Sequence, residues 1–248
     1  MAAPRKNFEH GMLVSQGVLD GQTYVHKFGA VPQMSINTTG SIWDISDSYY
    51  PWTALDTPAV VNIKRNHADD TGHIVTVQGL DSNWNLQTED ITITGADQTG
   101  TKLFRRVNRA FTTATPAATN VGDIDIEAGA AGGTIVARIG AGNGQTLMAV
   151  YTIPAGYTGY LYKGTASIQA NADATGFMYV RPNTVGTTFR VGHTFEVSGT
   201  GGQYTHEFPF PIPVTEKSDI DVRATVRSNN ARMTAAFDIL LIENDPNS

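Results

Sequence analysis

Apolar residues recur at every second position in short runs, and turn signals close each run after about ten residues. In Phe189, Val191, His193, Phe195 and Val197 one face is apolar, while Thr188, Arg190, Thr194 and Glu196 take the other. Ile220, Val222, Ala224 and Val226 alternate with Asp221, Arg223, Thr225 and Arg227, and Ile124 and Ile126 sit between Asp123, Asp125 and Glu127. Period two places alternate side chains on opposite faces of a strand, so each run reads as a half-buried strand with one wet face, the antiparallel pattern. Ile74 to Leu80 and Phe237 to Ile242 are more continuously apolar and read as central strands. Helical periodicity is almost absent, and Gly40 to Leu55, with Pro51 and its crowded aromatics, reads as a loop. The 25 glycines and 11 prolines supply the punctuation, at the spacing expected of sandwiches or barrels.

Individual turns are legible too. Asp20-Gly21 and Asn143-Gly144 tolerate positive φ in tight hairpins, and Ile153-Pro154-Ala155-Gly156 carries a proline and a glycine suited to a turn. In Phe208 to Val214 prolines stand at 209, 211 and 213. Proline donates nothing to a ladder, so this stretch is expected at a sheet edge or as a surface strap that cannot recruit another strand. The glycine- and alanine-rich stretch Glu127 to Gly133 reads as a boundary. The expected organisation is all-β: two antiparallel β-sandwich (jelly-roll-like) units over residues 21–128 and 129–248, preceded by an N-terminal arm over 1–20.

Charged residues are only 16% of the 248, against about 25% in average globular chains. Neutral polar groups therefore dominate the surface, and these cost less than ions to desolvate in an assembly. The net charge of -6 and the lack of a basic run argue against a nucleic-acid partner, and Lys102, Arg105, Arg106 and Arg109 read as solvated. With no cysteine there is no disulfide framework and no thiolate metal site. Met1 to His10 lacks the apolar stretch of a secretory signal, and no run approaches bilayer length, so a soluble protein without a membrane partner is expected.

Chemistry-bearing constellations are weak. His67-Ala68-Asp69-Asp70-Thr71-Gly72-His73 concentrates two imidazoles and two carboxylates, yet matches neither the zinc helix motif nor a calcium loop. It reads as an Asp-rich turn, and no metal is expected. Glu89 and Asp90 are sequence neighbours and would face opposite sides of a strand. Gly140 to Gln145 lacks the lysine of a phosphate loop, and no Gly-x-Ser-x-Gly elbow exists. His193 and His206 read as core or interface histidines. No catalytic residue, no cofactor and no enzymatic activity are expected.

Aromatic residues mark contact surface instead. Ile42, Trp43, Tyr49, Tyr50 and Trp52 form the densest patch, and Asp44 and Asp47 beside them resemble a sugar-binding surface in composition. Tyrosine buries a large ring while keeping a hydroxyl for a rim hydrogen bond. The expected interface residues are Trp43, Tyr49, Tyr50, Trp52, Tyr157, Tyr160, Phe208 and Phe210. Packing of the aromatic loop between strands or subunits is the main reading, and binding of a host glycan is the alternative.

A set of phrases adds to this. Tyr24 to Gly29, Ile42-Trp43-Asp44, Val75 to Asp81 and Phe104 to Arg109 are followed by Gly144 to Ala149, Tyr151 to Tyr160, Thr215 to Ile220 and Ala236 to Leu241. In this order they resemble a family of virion structural proteins of tailed bacteriophages, marine and cyanobacterial ones among them, over nearly the whole chain after residue 20. The resemblance implies a virion component made in the host cytoplasm, with no catalytic residues. The expected role is a capsid decoration, cement or head-fibre protein that binds assembled capsomers. Its expected partners are copies of itself, as a trimer, and other virion proteins such as the major capsid protein. A tail, neck or baseplate component and a carbohydrate-binding attachment module are the alternatives.

Overall fold

The computed structural model describes residues 7–114, 119–183, 188–199 and 203–245. It opens with helix α1 (Asn7–Ser15), then strands β1 (Gln22–Met34), β2 (Thr39–Ser41), β3 (Val61–Arg65), β4 (Ile74–Leu80) and β5 (Leu86–Thr92). Next come β6 (Asp97–Thr99), β7 (Arg106–Ala114), β8 (Ile124–Ala128), β9 (Ile135–Ile139) and β10 (Val150–Thr152). The chain ends in the longer strands β11 (Tyr157–Ile168), β12 (Asp173–Pro182), β13 (Arg190–Ser198), β14 (Tyr204–Val214), β15 (Ser218–Val226) and β16 (Ala231–Glu243).

These strands form four small antiparallel sheets rather than two consecutive jelly-roll-like sandwiches. Sheet 1 has the order β1-β16-β11-β14, and sheet 2 runs β10-β15-β12-β13 with β2 added along β15. Sheet 3 is β6-β3-β8-β9 and sheet 4 is β5-β4-β7. One apolar core takes its residues from sheets 1 and 2, among them Met34, Leu161, Met178, Ile220, Val222, Phe237 and Ile239. A second core takes Ile63, Val77, Phe104, Val107, Ile126 and Ile139 from sheets 3 and 4 and their connections.

The expected boundary falls at residues 128 and 129. Both lie within one hairpin: β8 pairs with β9, Glu127 facing Ile135. The glycine run there is turn chemistry, since a Cβ on Gly133 would stand 2.0 Å from the Ala128 carbonyl oxygen, which only glycine avoids. Sheet 1 joins the two ends of the chain, with Gln22 opposite Ile242. Residues between 25 and 42 and between 149 and 241 therefore supply the first core, and the second is built from residues between 43 and 150, with Phe189 packed against it.

The expected arm holds a helix over Asn7–Ser15, while residues 1–6 lie outside the described residues. Helix α1 ends in a Schellman motif. Gly17, at φ +66°, donates its N–H to Val14 O, and Val18 donates to Leu13 O, the paired bonds that close such a C-terminus. Val14 is buried beneath the helix. With Gly11 at its centre, a nine-residue helix relies on such packing more than on propensity. No described helix is long and apolar enough to cross a membrane.

Candidate contact surface

The aromatic loop turns inward. Trp43, Tyr50 and Trp52 are 2%, 4% and 6% exposed and belong to the second core. Tyr50 meets Trp43 edge-on at 5.3 Å and Trp52 at 4.6 Å between ring centroids, the favoured aromatic geometry. Their polar tips are also engaged. Trp43 Nε1 donates to Ser48 O, Tyr50 OH donates to Val107 O, and Trp52 Nε1 donates to Asp221 Oδ2 at 2.9 Å. The faces of these three residues, expected at an interface, are spent within the chain, as packing of the loop between strands requires. Tyr49 alone stays exposed, with the Arg223 guanidinium 5.0 Å from its ring. Trp52→Phe keeps a ring but deletes the donor to a buried carboxylate, so it should cost about 1–3 kcal/mol. Chemical denaturation measures that loss, and an unchanged midpoint would reject the role of this hydrogen bond.

Trp52 borders a buried ionic cluster that joins the two cores. Asp219 is 0% exposed and accepts from Arg106 Nε (3.0 Å), Arg181 Nη2 (2.6 Å), Thr152 Oγ1 (2.6 Å) and Asn183 Nδ2 (2.9 Å). Arg106 comes from β7 and also pairs with Asp56 at 3.1 Å. Two positions on, Asp221 is equally buried and pairs with Arg223 at 2.8 Å. Burial pushes the Asp221 carboxyl above the usual carboxylate range, while Arg223 and the Trp52 donor pull it back down. The expectation that Arg106 is solvated, and that Asp221 lies on a wet face, is corrected. Strand β15 lies between β12 on one side and β10 and β2 on the other, and Ser218 to Val222 are all buried.

The His67–His73 segment forms a turn, with Ala68–Asp70 in a single 3-10 turn. Buried Asp70 accepts the backbone N–H groups of Val121 (2.6 Å) and Gly122 (2.9 Å), which pins that loop. His73 is buried with its Nε2 3.8 Å from Asp70 Oδ1, and His67 is half exposed. Among the described residues no group of three or more His, Asp or Glu side chains is placed to hold a metal.

The exposed aromatic surface lies elsewhere, on the side of sheet 1 where helix α1 packs. Tyr24, Tyr160, Tyr162, Leu240 and Pro211 line a groove of about 690 Å³ together with His10, Met12, Val14 and Ser15 of α1. At its margin Asp238 accepts a hydrogen bond from Tyr24 OH at 2.7 Å and meets His26 Nδ1 at 2.5 Å. Burial first, then the bond to Asp238, raises the Tyr24 phenol well above its ordinary value, so it stays a neutral donor.

Edge strand β14 borders this groove, and its prolines set its shape. Leu161 pairs with Ile212 and Lys163 with Glu207, so four residues, Phe208 to Pro211, stand opposite Tyr162 alone. Pro209 and Pro211 have no N–H to give the ladder, and the strand bulges there. Phe210 on that bulge is 90% exposed, the most exposed large apolar side chain described. Phe208 and Tyr157 are half-buried and pack against the first core. Of the eight expected interface residues, Tyr160 lines this groove, Phe210 is exposed on the neighbouring bulge, Tyr49 is exposed at a distance in sequence, and the other five pack against the cores. Alternation and proline spacing pointed to β14, but nothing in the first twenty residues pointed to α1 as the groove's other wall.

No protein-family model matches the chain, and no curated protein does. Among solved structures, that of infectious bursal disease virus Gt strain aligns with 98% of this chain and 80% of its own at 12% identity. The TM-score is 0.23, too low to bear on fold or role.

Proposed function

We propose that this chain is a structural component of a tailed-phage virion, acting as a capsid decoration, cement or head-fibre protein. The observation that carries the reading is the contact surface beside β14. An apolar, tyrosine-lined groove and a fully presented phenylalanine sit at a sheet edge that prolines bar from further strand pairing. Such a surface invites side-chain packing while refusing edge-to-edge aggregation. The resemblance of the ordered sequence phrases to those of virion structural proteins supports the same reading.

The mechanism is mass action. A protein that binds only the assembled shell stabilises that shell in proportion to its differential affinity. Copies of this chain and the major capsid protein are the partners proposed. Purified virions analysed by quantitative mass spectrometry test the role: the chain should co-purify at a copy number in fixed ratio to the major capsid protein. A ratio matching the tail proteins would move it to the tail, neck or baseplate. Its absence from purified particles would overturn the virion reading altogether.

A further inference from the structure

We propose that the cavity between β1 and sheet 4 binds a small phosphomonoester, held through its phosphate group by Lys27 and Arg109. This site lies apart from the contact surface beside β14, and the virion role does not depend on it.

The cavity, of about 430 Å³, is lined by Lys27 from β1 and by Gln78, Thr88, Asn108 and Arg109 from sheet 4, and its wall contains no aspartate or glutamate. Strand alternation brings the two cations to it. On β1 the rings of Tyr24, His26 and Phe28 contact one another along one face, so Lys27 projects from the other. On sheet 4, Gln78 stands opposite both Thr88 of β5 and Arg109 of β7, and directly paired residues share a face. The β4–β7 ladder bulges at this point, because Gln78 pairs with Arg109 but Gly79 pairs with Val107. Asn108 is the extra residue of the bulge, and its carbonyl accepts a hydrogen bond from Lys27 Nζ.

Charge defines the ligand. Lys27 is 7% exposed, and its hydrogen-bond partner is neutral. An ammonium carries three N–H groups, and among the described residues nothing else accepts from this one. Arg109 is likewise met by neutral groups, the Gln145 side-chain oxygen at 2.6 Å and the Phe111 ring at 4.8 Å. Burial first, then Arg109, lowers the Lys27 ammonium to about 7, and Asp44 opposes the fall. Asp44 does not line the cavity, and it accepts the Leu147 N–H. A buried cation without a counter-ion is costly, and a second cation at the same cavity adds repulsion. An anion between them relieves both. Lysine as a compact point charge and arginine as a planar fork both suit phosphate oxygens. The volume falls within the range of small-molecule pockets, which leaves room for the alcohol part of the ester beside Gln78 and Thr88.

Calorimetric titration of the full chain with inorganic phosphate and with glycerol phosphate tests the site. Wild type should bind both saturably, whereas chloride at matched ionic strength should not saturate. Lys27→Met and Arg109→Gln should each weaken binding by about tenfold or more, as for the loss of a hydrogen bond to a charged group. Arg109 is exposed, so its replacement leaves the fold intact and keeps the test decisive. Lys163→Gln, which removes a surface cation paired with Glu207 on sheet 1, should bind as wild type does. Absence of saturable glycerol phosphate binding to wild type, an affinity unchanged in Arg109→Gln or in folded Lys27→Met, or an equal loss in Lys163→Gln would overturn the proposal.

Discussion

Asp219→Ala should destabilise the protein by about 3–5 kcal/mol, the cost of removing one partner from a buried ion pair. The aspartate is fully buried, and two guanidinium groups converge on it: Arg106 with its Nε at 3.0 Å and Arg181 with its Nε at 3.0 Å and Nη2 at 2.6 Å. Both arginines are themselves buried. Deleting the carboxylate leaves two desolvated cations facing each other, with only Asp56 left as a counter-charge to Arg106. Arg106 also stands 5.7 Å from the Trp52 ring and 5.2 Å from Trp84, but ring quadrupoles cannot replace a full negative charge. At about 2–4 °C per kcal/mol for a chain of this size, the midpoint should fall by about 6–20 °C. Replacing all three groups with apolar residues should cost less than the single change, since it removes the charges together with their partner. A melting curve for Asp219→Ala within about 2 °C of wild type would mean that water reaches the cluster and that it does not lock the two cores together.

That cluster also marks where sequence reading stops. Ile220 to Val226 alternates cleanly, and the alternation does locate β15. Its polar positions look like a solvent face because a charged residue at every second place is what such a face contains. The partner that makes Asp219 an interior residue lies 113 positions away, and no local pattern carries that distance. Proline spacing was readable because its cause is local: a missing N–H excludes the residue from a ladder wherever the strand is placed. The aromatic loop was visible as a cluster, but its direction depended on Tyr50 and Trp52 finding Val107 and Asp221 as hydrogen-bond partners. Helix α1 escaped notice because Gly11 interrupts a single short apolar row. The low-complexity hairpin looked like a linker because glycine serves both, and only the pairing of Glu127 with Ile135 separates them.

Stability should pass through a minimum near pH 7 to 8, set by two buried groups that titrate in opposite senses. Burial lifts the Asp44 carboxyl from 3.8 to about 8, opposed by the Leu147 N–H and Arg138, with Asp123 adding to the rise. Burial lowers the Lys27 ammonium from 10.5 to about 7; Arg109 adds to the fall and Asp44 opposes it. Between pH 3.8 and 8 the folded chain holds a proton on Asp44 that the unfolded chain has released, so stability falls as pH rises through this window. Between pH 7 and 10.5 the unfolded chain holds a proton on Lys27 that the folded chain has shed, so stability rises with pH there. Below pH 7 the lysine is charged in both states, and its desolvation cost is present in full. Asp44→Asn retains an oxygen for the Leu147 N–H, which approaches at 2.6 Å, and should flatten the acid limb, while loss of the Asp44 charge that supports the Lys27 ammonium widens the alkaline limb. Lys27→Met gives up the hydrogen bond to Asn108 O and should flatten the alkaline limb alone. Melting temperatures of the three proteins from pH 4 to 10, taken as differences from wild type, isolate each group from the rest of the chain's charge. Variant curves that run parallel to wild type across both windows would show that neither group carries the dependence, and that both side chains are solvated in the folded protein.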